Sequence, residues 1–138
     1  MLRKICLLIA AGCTYSTSWF VPAGHTVLGN ISGRQAFAPA LSSHSYLHAA
    51  SYREVAWLVS AWTNPLFVVA FVLVVVRRNA PNTVLVWALA TAAFLNLVFW
   101  LPAERGNLRV GFYLWIISFA CLAAAASLPR PNPGAGRP

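Results

Sequence analysis

A chain of 138 residues has room for one domain, and 59% hydrophobic content against ten basic and two acidic side chains lies far from the roughly one-quarter charged composition of soluble domains. Lipid is the solvent that this composition fits, and four spans of about 20 residues across a hydrocarbon core of roughly 30 Å leave little chain for a soluble catalytic domain. The net charge of +8 is spread in ones and twos through the polar connections, which argues against a nucleic-acid interface and fits cations that anchor apolar spans at an anionic surface.

The first apolar run, 5–21, follows Arg3 and Lys4 and is interrupted by Thr14, Ser16, Thr17 and Ser18. Two readings stay open for it. One is a short retained helix; the other is a cleaved secretory signal, because Ile9-Ala10-Ala11-Gly12-Cys13 resembles the lipobox in which Cys13 becomes an acylated N-terminus. Cys6 and Cys121 complete the cysteines, with no CxxC spacing, so each reads as a small apolar packer rather than a disulfide or zinc ligand.

A polar segment, 22–54, comes next and is expected to be an extracytoplasmic loop. It holds all three histidines, His25, His44 and His48. His44 and His48 share a helical face at i, i+4 spacing and are the candidate metal or haem ligands, although no third ligand stands near them. No GxSxG elbow accompanies Ser32, Ser43 or Ser45, so nothing points to an enzyme, and no cofactor is expected.

The second run, 55–76, contains no charge and spans roughly 33 Å at the helical rise. Ser51 and Glu54 form a capping-box pattern at its start, and Arg77-Arg78-Asn79 closes it. A third run, 84–101, follows Pro81 with Asn82 or Thr83 as cap and ends at Pro102; a fourth, 110–128, ends before Pro129. Short connections make the last three helices consecutive antiparallel hairpins. The tail, 129–138, is rich in proline, glycine and arginine and is expected to be disordered.

The fold class expected is therefore all-α, a transmembrane four-helix bundle with both termini cytoplasmic. With that orientation Arg3, Lys4, Arg77, Arg78, Arg130 and Arg137 lie inside, against Arg34, Arg53, Arg105 and Arg109 outside. Trp19, Trp57, Trp100 and Trp115 then fall near the outer interface, and Trp87 near the inner one. A single lysine against nine arginines, with abundant alanine, fits a GC-rich bacterial genome and hence an inner membrane.

No ionisable Asp, Glu, Lys, Arg or His lies within the four spans, which argues against a carboxylate-dependent antiporter. The polar groups that do enter are Asn64 beside Pro65, and Asn96. Pro65 frees the carbonyl near Ala61, for which Thr63 or Asn64 supplies a partner, and the amides are expected either to join helices by hydrogen bonds or to line a ligand or ion site at a kink.

Ile31-Ser32-Gly33-Arg34-Gln35-Ala36-Phe37 and Trp62-Thr63-Asn64-Pro65-Leu66-Phe67 give the chain its resemblance to a group of small uncharacterised bacterial membrane proteins, with an SG-x-x-A-F-like outer loop and a W-x-N-P second helix. The resemblance implies a four-helix inner-membrane protein and brings no activity with it. The leading expectation is a non-enzymatic packing or accessory component whose partners are the lipid bilayer and a second copy or another membrane protein. Its alternatives are an oligomeric small-solute permease or channel lined by Asn64 and Asn96, and a metal- or haem-binding redox accessory using His44 and His48.

Overall fold

A computed structural model describes residues 2–26, 29–32, 34, 52–76, 82–103 and 108–128. Among these the chain is mostly helical: α1 (Leu2–Ser18), then a two-stranded hairpin of β1 (Pro22–Thr26) and β2 (Gly29–Ser32), then α2 (Tyr52–Val76), α3 (Thr83–Ala103) and α4 (Val110–Ser127). The pair His44 and His48, the Ser51–Glu54 capping box, Arg77-Arg78-Asn79 and the tail 129–138 lie outside the residues whose side chains are described.

Three helices are long and apolar enough to cross a membrane, over Leu58–Val76, Thr83–Leu101 and Val110–Ser127. The first helix differs. Its 17 residues span roughly 25 Å, short of the hydrocarbon thickness. It begins at Leu2, three residues before the apolar run, and ends at Ser18, where the amides of Trp19, Phe20 and Val21 turn back onto the carbonyls of Ser16 and Thr17. Thr14 and Ser18 stay helical because their hydroxyls donate to Ala10 and Tyr15 carbonyls at 2.7 and 2.6 Å.

The other boundaries follow local chemistry. Asn82, rather than Thr83, caps α3 by accepting the Leu85 amide at 3.0 Å. The α3 helix runs two residues past the expected end at Leu101 and takes in Pro102. Leu128 turns extended, as a residue before proline must, and so ends α4.

The segment expected as loop departs from an all-helical reading. Antiparallel pairs Gly24–Ile31, His25–Asn30 and Thr26–Gly29 form the hairpin, with an irregularity between Pro22 and Gly24. It is fastened to the helices through backbone groups: the Arg109 amide donates to the Ala23 carbonyl at 2.9 Å, and the Arg34 amide to that of Trp19 at 3.1 Å. Gly111 is required here, since a Cβ on it would stand 2.8 Å from the Pro22 carbonyl oxygen and 2.9 Å from that of Val21.

Packing runs from α1 along α4, from α4 along α3 and from α3 along α2, with α2 also touching α4. The core collects Ala11 from α1, Phe67, Ala70 and Val74 from α2, Leu85, Leu89 and Ala92 from α3, and Phe119, Leu122 and Ala125 from α4. At the end away from the hairpin the Asn82 amide donates to the Ala126 carbonyl at 3.3 Å, joining the start of α3 to the end of α4. Many large apolar side chains face outward instead, among them Trp62, Val69, Val84, Trp87 and Phe94. In water such a surface would be an aggregation hazard; against hydrocarbon it is the expected exterior.

Candidate functional site: a polar network between the helices

The helical repeat places Ser60, Thr63, Asn64 and Phe67 on one face of α2, at offsets of three and four. That face turns inward, and all four side chains are buried. Pro65 follows Asn64 by about 100° of rotation and is exposed, so the ring stands outside the packed side of the helix.

Within α2, the Asn64 side-chain amide donates to the Ser60 carbonyl at 2.8 Å, and the Thr63 hydroxyl to the same oxygen at 3.2 Å. The expected acceptor was the Ala61 carbonyl, which Pro65 deprives of its usual N–H. Side chains on a helix lean back over the preceding turn, so residues 63 and 64 reach position 60 at offsets of three and four. The helix continues unbroken through Pro65 to Val76.

Asn96 on α3 is wholly buried, at 0% exposure. Its amide nitrogen donates to the Thr63 hydroxyl oxygen at 3.1 Å and to the Ala92 carbonyl at 2.8 Å, while its oxygen accepts from the Ser60 hydroxyl at 2.9 Å. Both amide protons are thus used. The Ser60 oxygen in turn accepts the indole N–H of Trp100 at 2.7 Å, a second link from α3.

The Asn64 oxygen is shared by the other two helices. Tyr15 of α1 donates its hydroxyl to it at 2.9 Å, and Trp115 of α4 its indole N–H at 3.0 Å. One buried amide therefore joins α1, α2 and α4, and the other joins α2 to α3. An aromatic layer lies beside this network: Tyr15 stacks on Phe67 at 4.1 Å with rings nearly parallel, and Phe67 meets Phe119, which meets Trp115 edge-on at 5.5 Å.

Sequence reasoning singled out Asn64, Pro65 and Asn96, and the structure brings the two asparagines together through Ser60 and Thr63 while leaving Pro65 outside. It did not find Tyr15, Ser60, Trp100 or Trp115. The signal for Ser60 was its spacing from Thr63 and Asn64. For the aromatics it was the polar tip, since a buried Tyr hydroxyl or Trp N–H needs an acceptor. Trp100 and Trp115, expected as interface anchors, turn their N–H groups inward.

Cys13 is exposed on α1, and Cys6 likewise. The residues just before Cys13 are not peripheral: Ala11 is buried in the core, and Leu7 and Leu8 pack against it. His44 and His48 lie outside the described residues, and among the described residues no group of three His, Cys, Asp or Glu side chains could hold a metal ion. No protein-family model, curated protein or solved structure matches the chain.

Proposed function

We propose that this chain is a multi-pass protein of the bacterial inner membrane, non-enzymatic, that serves as a packing or accessory component, with α1 retained as a fourth membrane helix and both termini cytoplasmic. The observation that carries this reading is the hydrogen-bonded polar network. Asn64 and Asn96 are the polar groups a solute path would use, yet both side-chain oxygens, both amide protons of Asn96 and one of Asn64 are engaged by Tyr15, Ser60, Thr63, Ala92 and Trp115 of this same chain. Polar side chains held this way join helices in a solvent that offers no hydrophobic drive for their association.

Orientation rests on charge, six basic residues at one end of the helices against four at the other. The hairpin and the polar segment that follows it then face the periplasm and form the recognition surface. Crosslinking in native membranes tests the reading. An adduct of the chain with itself or with a second membrane protein is expected; a strict monomer that yields no adduct would remove the basis for a packing role.

A further inference from the structure

The face of α2 opposite the polar network carries Trp62, Pro65, Val69, Val72 and Val76, at alternating offsets of three and four, and all five are exposed. Hydrocarbon alone would suit this stripe if every group on it were apolar, and two are not. Pro65 has no N–H to offer the Ala61 carbonyl one turn before it. Thr63 and Asn64, the side chains within reach, both donate to the Ser60 carbonyl instead, and among the described residues no side chain donates to Ala61. Trp62 is 74% exposed, and its indole N–H meets no acceptor among the described residues, whereas those of Trp100 and Trp115 turn inward to Ser60 and Asn64.

This donor and this acceptor belong to adjacent residues and so lie at one depth, about 8 Å from the middle of the Leu58–Val76 span. That is well inside a hydrocarbon half-thickness of roughly 15 Å, where neither water nor lipid tails supply a partner. Copies of a membrane protein share one orientation, so a two-fold axis relating a pair of them runs along the membrane normal and sets equal depths against each other. The Trp62 N–H of each copy then meets the Ala61 carbonyl of the other, and both groups are satisfied at once. Val69, Val72 and Val76 continue the contact as a ridge of β-branched side chains, whose χ1 is already restricted in a helix and which lose little freedom on packing.

We infer that this face of α2 docks on the same face of a second copy, in a parallel two-fold pair held by a hydrogen bond from the Trp62 indole to the Ala61 carbonyl in each direction. The inference rests on the packing role proposed above and names the chain itself as the partner.

The test uses the full chain, labelled with a fluorophore and reconstituted in phosphatidylcholine vesicles at a series of protein-to-lipid ratios, with the fraction of molecules that bleach in two steps giving the association constant. Dimers are expected for the wild type. Trp62→Phe removes the donor, and Pro65→Ala gives Ala61 an N–H from its own helix and so removes the acceptor. Each is expected to lower the association constant roughly tenfold, as two hydrogen bonds of ordinary membrane strength require. Both positions are exposed and Pro65→Ala favours the helix, so a loss of association in both cannot be a loss of fold. The double variant should associate no more weakly than either single one, because the two changes remove the same bond. Trp87→Phe, on the exposed face of α3, should leave association unchanged. Unaltered association in Trp62→Phe and Pro65→Ala, an equal loss in Trp87→Phe, or a monomer at every ratio would overturn the inference. A monomer in vesicles that still crosslinks to a different protein in native membranes would leave the packing reading standing; one that yields no adduct there would overturn both.

Discussion

At the scale of single residues the chemistry turns on two amides in an apolar setting. Asn64 offers one oxygen to two donors, Tyr15 and Trp115, from different helices. Losing either donor leaves the oxygen satisfied by the other, whereas losing both leaves a buried acceptor without its partners. Tyr15→Phe and Trp115→Phe should therefore each cost about 1 kcal/mol, and the double variant about 1 kcal/mol more than their sum. Reversible unfolding in mixed detergent measures this, and strictly additive losses would show that the shared acceptor does not couple the helices. Asn64 and Asn96 were legible in the sequence because an amide within an apolar run must find partners. Tyr15, Trp100 and Trp115 were not, because amphipathic rings near a span's end fit an interface as well as an interior, and the rotation of each helix decides between them. For α2 that rotation could be read, from the spacing of Ser60, Thr63, Asn64 and Phe67.

At the scale of elements, the three long apolar runs were plain from hydropathy, and their ends lie within three residues of the expected ones, α2 beginning at Tyr52 rather than 55 and α3 ending at Ala103 rather than 101. The hairpin was not legible. Its strands, Pro22–Thr26 and Gly29–Ser32, are rich in proline and glycine and poor in the β-branched and aromatic alternation that marks a strand. It forms where it does because the ends of α1 and α4 hold it through backbone hydrogen bonds. Gly111 is the hinge of that contact in a steric sense. Gly111→Ala is expected to destabilise the protein by about 1–3 kcal/mol, since the methyl group meets fixed carbonyl oxygens rather than a flexible side chain. Gly12→Ala makes the control: its Cβ would meet Phe71 at 3.6 Å, ordinary contact distance, and a change within about 0.5 kcal/mol is expected. Equal melting temperatures for the two variants would mean that the hairpin is not seated against α4.

At the scale of the whole molecule, the proposed retention of α1 would give the packed unit its fourth helix. It is short, yet Leu7, Leu8 and Ala11 lie in or against the core, and Tyr15 closes the network from its side. Cleavage before Cys13 would strip Ala11 from that core, so the intact mass of the membrane-purified protein should be that of the unprocessed chain, less the formyl group or Met1. A mass for a chain starting at an acylated Cys13 would leave three helices and an outer lipid anchor. Composition alone allowed either outcome, because Ala11 belongs both to the lipobox-like stretch and to the core, while Ile9 and Cys13 of that stretch are exposed.

The claim on which the rest depends is that the buried amides hold helices together rather than line a path. Asn96→Leu tests it most directly, with unfolding stability and small-solute flux measured on the same proteoliposome preparation. Leucine keeps the branched shape, though it is bulkier, and deprives Ser60 and Thr63 of their partner across the helix interface, so a stability loss of about 1–3 kcal/mol with flux no different from that of wild type is predicted. Unchanged stability together with an altered flux would contradict the account and assign the network to transport.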